Sequence, residues 1–491
     1  MRRKAICFAC AMVFFFSVKV LAWAQERLPV PPVEDVTDDI PENAAQAEKA
    51  KSVNIDMQLV YGQYNNMFST INLSQEQKNS AYLLSSYFKR SNDFGYKDTT
   101  YKNTSYYENR IGYTGNHNIT ETWKTILDVD VYNDSRGMFN NPVYSREEKD
   151  KVRLSLKNVS KLTSSFEGYF IVGGSIYTHR LQAVLPEDQH KSVVDQARLD
   201  VGGEYIWSAS NRVRASAQSG FYSYQDSPGD RYVSAEVIDD FNLTRMFGIS
   251  FGANFDYNRD AAVLASPIVS LTVKGLEYAT VTLMYRYDLQ PFKPDEYYLE
   301  QKYISPGLDL PPARVHQGNA HLDVRINSAV SIKGDVMCQK SNNFYNYAPT
   351  ADRVLVARAI PVTYYTTKLE SNFILYKKIL EMAFGFEFNH FDAAENITYR
   401  PQMSFSNTVL YSGKKWRFEW SNKLTGKVYV DPETDRRLNG AVIGYFGVQR
   451  MMMESFYAYI RVENIYNNKY NLREGYPEAG ITFQGGLRIL I

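Results

Sequence analysis

From Val53 to Ile491 the chain alternates apolar and polar residues with a period of two. Val152, Leu154 and Leu156 interleave with Arg153, Ser155 and Lys157, and Leu127, Val129 and Val131 with Asp128 and Asp130. Ala197, Leu199 and Val201 stand against Arg198 and Asp200, and Ala320, Leu322, Val324 and Ile326 against His321, Asp323 and Arg325. Trp416, Phe418 and Trp420 oppose Arg417 and Glu419, while Ile460 and Val462 oppose Tyr459, Arg461 and Glu463. Successive side chains of an extended strand point to opposite faces, so each run predicts a strand with one oily and one wet face. Such runs, about 9 to 14 residues long, recur about 22 times, and each is long enough to cross a bilayer at a tilt.

The spacing between runs carries as much information. Every second connection is short: around Leu162, then 209–211, 274–276, 327–329, 413–415 and 451–453. The connections between them are long, at 91–103, 134–150, 180–192, 290–315, 342–362 and 464–479. Short turns on one rim and long loops on the other are the hairpin layout of an outer-membrane barrel, and an even strand count places both chain ends on the short-turn rim. The final run, Ile481, Phe483, Gly485, Leu487, Ile489 and Ile491 against Thr482, Gln484 and Arg488, stays amphipathic to the last residue. Tyr113, Tyr205 and Trp207 near strand ends suit interfacial girdles. A soluble propeller or sandwich array should show repeated blade motifs or linkers, and the chain has neither. The expected fold class is therefore all-β: a transmembrane outer-membrane β-barrel of about 22 antiparallel strands, with short periplasmic turns and long extracellular loops.

Composition narrows this further. A mean hydropathy of −0.39 is too polar for a bundle of membrane helices. With 55 basic against 54 acidic side chains there is no single-sign surplus to favour nucleic acid. A length of 491 residues would ordinarily divide into several cores, yet no internal linker supports division, and one closed sheet accounts for the length instead. Residues 1–24 read as a secretory signal peptide: Arg2, Arg3 and Lys4, an apolar core from Ala5 to Val18, then Ala22-Trp23-Ala24 before Gln25. Cys7 and Cys10 fall inside it, so Cys338 remains and no internal disulfide is expected. Residues 25–52, rich in Pro and acids, are expected to form a flexible periplasmic tail ahead of a barrel at 53–491.

Several segments resemble the C-terminal barrel of the TonB-dependent outer-membrane receptors. Val462-Glu463-Asn464-Ile465-Tyr466-Asn467-Asn468-Lys469-Tyr470 is similar to that family's "ENLFDKKY" segment. Gly475-Tyr476-Pro477, Gly480-Ile481-Thr482-Phe483 and Gly486-Leu487-Arg488 resemble its "GYP…GRTF…GLR" ending, with Ile481 in place of the Arg. Leu289 to Tyr298, followed by Pro306 to Arg314, is similar to its "FRAPT…NPDLKPE" external loop, and Val60-Tyr61-Gly62-Gln63-Tyr64-Asn65 to its first barrel hairpin. The resemblance implies an outer-membrane transport protein. It also implies a globular plug ahead of the barrel, where this chain has residues 25–52, too few to bury a core. The expectation is thus a receptor-like barrel lacking its own plug. Glu34, Asp35, Val36 and Thr37 faintly resemble the family's TonB box, an extended segment that adds a strand to its partner; a solvated acidic linker explains the same residues.

If the apolar alternates face lipid, the lumen wall carries Arg153, Lys157, Arg198, Asp200, Glu204, Arg212, Arg214, Asp323, Arg325, Arg417, Glu419, Arg461, Glu463 and Arg488. The opposite assignment would cost about 2–4 kcal/mol per basic residue near the midplane. Such charges serve either as a hydrophilic conduit or plug-docking surface, or as cross-strand pairs that stiffen the wall. No catalytic, metal or cofactor constellation accompanies them, and no enzymatic activity is expected. His316 and His321, five apart on a strand, face opposite sides and cannot share a metal.

A barrel of this size has a lumen too wide for side chains to fill. Either loops such as 290–315 and 342–362 fold inward, or a second polypeptide occupies the space. The expected function is transport or binding of a nutrient such as a metal chelate or other small molecule. Expected partners are outer-membrane lipid, the barrel-assembly machinery, that small-molecule ligand, and a separately encoded plug or TonB-like energy-coupling protein. The alternative is a surface binding or adhesion protein whose barrel anchors long loops bearing Phe344, Tyr345, Asn346 and Tyr347.

Overall fold

The computed structural model describes residues 53–491, apart from 97–98, 186–188, 209, 225–226, 259–262, 276–277, 294–296, 298, 300, 307–309 and 377. The expected signal peptide, the 25–52 tail and the segment Glu34, Asp35, Val36 and Thr37 lie outside the described residues.

One sheet of 22 strands dominates. Its first half comprises β1 (Val53–Gly62), β2 (Asn66–Gln77), β3 (Ser80–Ser91), β4 (Tyr106–Asn118), β5 (Trp123–Gly137), β6 (Tyr144–Lys161), β7 (Phe166–Ala183), β8 (His190–Ser208), β9 (Asn211–Tyr224), β10 (Ser227–Asn242) and β11 (Phe247–Asn258). The second comprises β12 (Leu264–Gly275), β13 (Ala279–Gln290), β14 (Ala313–Asn327), β15 (Val330–Pro349), β16 (Leu355–Leu375), β17 (Leu380–Asp392), β18 (Met403–Ser412), β19 (Trp416–Thr425), β20 (Ala441–Met453), β21 (Phe456–Glu463) and β22 (Thr482–Leu490). Each pairs antiparallel with the next. β22 returns to β1, from Asp56 opposite Leu490 to Gly62 opposite Gln484, and bonds between Ile55 and Ile491 extend the seam. Closure leaves no unpaired edge, which is what a sheet immersed in lipid requires.

Tight turns such as 78–79, 328–329 and 454–455 occupy one rim, together with Val53 and Ile491. The other rim carries 92–105, 138–143, 291–312, 393–402, 426–440 and 464–481. Leu154, Val172, Leu199, Phe251, Trp420 and Leu487 are exposed on the outside and form part of an apolar belt suited to lipid.

Three expected long loops are mostly strand, 180–192 among them because β7 runs on to Ala183 and β8 begins at His190. β5 runs on to Gly137 and β6 begins at Tyr144, so most of 134–150 is paired. Likewise β15 and β16, of 20 and 21 residues, reduce 342–362 to a turn at 350–354. A span needs only about 9–11 residues, so these strands project past the hydrocarbon. A bulge between Ser341 and Phe344 shifts the phase of β15, which hides the alternation from a period-two reading.

Buried side chains gather in the long-loop half. Phe292, Ile304 and Leu310 of the 291–312 loop pack with Tyr177, Val194, Tyr222 and Tyr232 of β7 to β10, and with Tyr347, Leu355 and Ala357 of β15 and β16.

Candidate transport lumen

Many charges on the face opposite the apolar belt are paired. Arg198 meets Asp200 at 2.5 Å, Arg212 and Arg214 meet Asp240 at 3.0 and 2.9 Å, and Glu204 lies 3.6 Å from Arg212. Arg461 bonds Glu463, Arg488 reaches Asp56 across the seam at 2.8 Å, and Arg325 is 4.0 Å from Asp323. Lys157 sits over the Tyr169 ring. Arg153 helps line a small recess with Arg110, Asp128 and Asp130. Part-exposed pairs of this kind contribute about 0–1 kcal/mol each, so they neutralise the wall more than they stabilise it. His321 bonds Asp335 at 2.6 Å on this face, whereas His316 bonds Tyr285.

The loop 291–312 crosses to the wall at β6 and β7. The buried carboxylate of Glu147 accepts the backbone N–H of Tyr303 at 2.8 Å and of Ile304 at 3.4 Å. Lys149 Nζ and His179 Nε2 each stand 3.1 Å from the same carboxylate, and Lys149 also donates to the Gln301 carbonyl. A buried carboxylate is tolerable here because the Lys149 ammonium, the His179 imidazole and two amide donors surround it.

The segment 464–481 folds in beside that loop. The Tyr476 ring stacks on Tyr303 with centroids 3.7 Å apart; its hydroxyl donates to the Arg353 carbonyl at 3.1 Å and accepts from Asn141 at 3.2 Å. Arg473 donates to Gln301 Oε1 at 2.8 Å and lies over the Tyr399 ring. Gly475 at φ +80° makes the bend before Tyr476 in a region other residues resist. At Gly444 the segment lies so close that a Cβ would stand 2.5 Å from Ile465 Cγ1. The turn 350–354 joins through Leu355, which exchanges backbone bonds with Tyr303 and Ser305 at 2.8 and 2.7 Å. Four connections, 138–143, 291–312, 350–354 and 464–481, therefore meet at Tyr303 and Tyr476.

Cavities remain along the inner face of the wall. The largest of those described, about 690 Å³, is lined by Lys89, Tyr106, Arg417, Glu419, Arg461, Glu463 and Arg488, with Tyr470 and Glu478 of the inward segment above. Another of about 500 Å³ holds Asp256, Asp288, Arg286 and Tyr297. In the loops, burial pulls the Lys302 ammonium down to about 8, and burial pushes the Glu478 carboxyl up. Among the described residues no group of three or more His, Cys, Asp or Glu side chains is placed to hold a metal ion.

By sequence, no family model and no curated protein matches the chain. By structure it is similar to the siderophore receptor PirA from Acinetobacter baumannii, with TM-score 0.70 and 8% identity over 89% of this chain and 80% of that one. The FrpB iron transporter from Neisseria meningitidis gives 0.71 at 9% identity, over 90% and 81%. The copper transporter OprC gives 0.68 at 11%, over 90% and 80%. The fold is that of the TonB-dependent receptor barrel. At such low identity the likeness is one of fold, and the barrel of this chain packs loops of its own into its long-loop half.

Glu147, Lys149 and His179 were not legible as a group, because 134–150 reads as a loop and His179 stands at the edge of another at 180–192. A signal was present: Glu147, Lys149 and Lys151 alternate with Glu148 and Asp150, which is period-two charge on a strand. Their meeting with Tyr303 depends on a contact 156 residues away.

Proposed function

We propose that this chain is an outer-membrane transport barrel that binds or passes a small nutrient such as a metal chelate, with its outer mouth closed by its own loops. The observation that supports the reading is the junction at Tyr303 and Tyr476, where four connections meet and, on this reading, seal a lumen that keeps charged cavities. Sealing of this kind suits gated passage. An open pore has no use for a carboxylate buried under a loop.

On this reading the inward charges serve as the conduit wall: Arg153, Lys157, Arg198, Asp200, Glu204, Arg212, Arg214, Asp323 and Arg325 around the barrel. Arg417, Glu419, Arg461, Glu463 and Arg488 form the part a separately encoded plug would touch. A TonB-like protein would supply the energy that opens the junction, and the segment Glu34 to Thr37 would be its attachment point. The adhesion alternative gains little support. Phe344, Asn346 and Tyr347 are buried, and Asn346 is engaged by Glu395, Asn396 and Thr398, so these residues are not presented to an external ligand.

Planar-bilayer conductance of the purified full chain tests the proposal. Rare, small currents are expected from the wild type, and large steady ones after residues 294–309 are replaced by a short Gly-Ser linker. Large ungated currents from the wild type would contradict a sealed mouth.

A further inference from the structure

The outward rows of β13, β14 and β15 change character within a few residues. Leu283, Ala320 and Val336 form one row across the three strands, and Tyr285, Gly318 and Cys338 form the next. The row above is Tyr287, His316 and Lys340, and Arg314 stands two residues beyond His316 on the same face. Arg314, His316 and Lys340 are all exposed. Nearby carboxylates are engaged on the inner face, Asp288 with Arg286 and Asp335 with His321, and none pairs with these three among the described residues. Arg180, by contrast, lies within 3.9 and 4.0 Å of Glu148 and Asp150.

Height decides what such a cluster meets. Val330 to Lys340 is eleven residues counted from the short-turn rim, about the length a strand needs to cross the hydrocarbon. Lys340 therefore emerges at headgroup level, where exposed cations cost little and tyrosines are favoured. The imidazole of His316 is held in place: Nδ1 is 3.1 Å from the Tyr285 hydroxyl, and the ring stacks on Tyr287 at 4.0 Å and 8°. Residues two apart on a strand lie roughly 7 Å from each other, and directly opposed ones roughly 5 Å, a triangle that fits one phosphate. Guanidinium and ammonium groups bind such oxygens through charge-assisted hydrogen bonds.

We propose that Arg314, His316 and Lys340 form a binding site on the outer wall for the phosphate of a lipid headgroup in the leaflet beside the long loops. The proposal rests on the reading of the chain as a membrane-spanning barrel. Its consequence is a lipid-anchored sector on β13 to β15, next to the 291–312 loop that β13 and β14 carry.

The test compares the wild-type full chain with Arg314→Gln/Lys340→Gln in phosphatidylcholine nanodiscs doped with bisphosphorylated lipid A, reading bound lipid by native mass spectrometry. The wild type should retain lipid A, and the double variant should lose roughly tenfold of that adduct while its phosphatidylcholine adducts are unchanged. Millimolar inorganic phosphate should not displace the lipid. Equal lipid A retention by both chains overturns the site, and displacement by inorganic phosphate shows an anion site that is not a lipid site. Insertion into the nanodisc is scored separately. A wild type that does not insert overturns the membrane reading, whereas one that inserts without the difference overturns the lipid site alone.

Discussion

Replacing Glu147 by Ala removes the carboxylate that ties residues 301–304 to the wall. Two amides, those of Tyr303 and Ile304, lose their acceptor, and the Lys149 ammonium is left buried beside His179. Removing one member of a buried ion pair costs about 3–5 kcal/mol, and a buried unpaired amide about 1–3 kcal/mol. Lifting the loop to admit water relieves both, so the variant should respond by undocking. A shift of about 3 kcal/mol is roughly a hundredfold in the docking equilibrium. Hydrogen exchange of the Tyr303 and Ile304 amides should accelerate by that order, and bilayer currents should rise in step. The double change Glu147→Leu/Lys149→Met removes both charges at similar volume and should recover only the part of the loss due to the stranded ammonium, since apolar replacements of buried pairs are often near neutral while the two amides still lack an acceptor. Exchange in Glu147→Ala that stays within about twofold of the wild type would refute the claim that this carboxylate holds the loop down.

Two further outcomes follow from the same geometry. Lys302 titrates near 8 in the docked loop, against an ordinary value of 10.5 once released, because burial disfavours its charged form. The cost of burying that charge is fully present below about pH 8 and disappears as pH rises toward 10.5, so docking strengthens over that window. Exchange at Tyr303, corrected for the intrinsic pH dependence, should slow accordingly, and Lys302→Met should abolish the trend; a wild type with no trend would count against it. Gly444→Val places atoms where Ile465 Cγ1 and the Tyr466 ring already stand, at 2.5 and 2.6 Å from a Cβ. Overpacking of this kind costs about 1–3 kcal/mol and should loosen 464–481, seen as faster exchange there with β19 to β20 pairing intact.

How much was legible depends on the range of the interactions. Strand positions and the two faces rest on neighbours two residues apart, as at Leu154 and Leu156, and these are written in local order. Loop lengths were overstated at 134–150, 180–192 and 342–362, because pairing outside the membrane needs no alternation of apolar residues, and because the bulge at Ser341 breaks the phase. The ion pairs of the wall were half visible: Arg198 and Asp200 lie two apart, whereas Asp56 finds Arg488 only through closure of the sheet, 432 residues away.

The sequence by itself determined a closed sheet of period-two strands, its oily outside and its charged inside, since side-chain alternation and the cost of charge in lipid leave one arrangement. Only the tertiary structure decided what fills the lumen. Glu147 meets Tyr303, and Tyr476 stacks on it, across 156 and 173 residues, because barrel closure brings remote strands around one space and the loops above it bury apolar surface only by folding into that space.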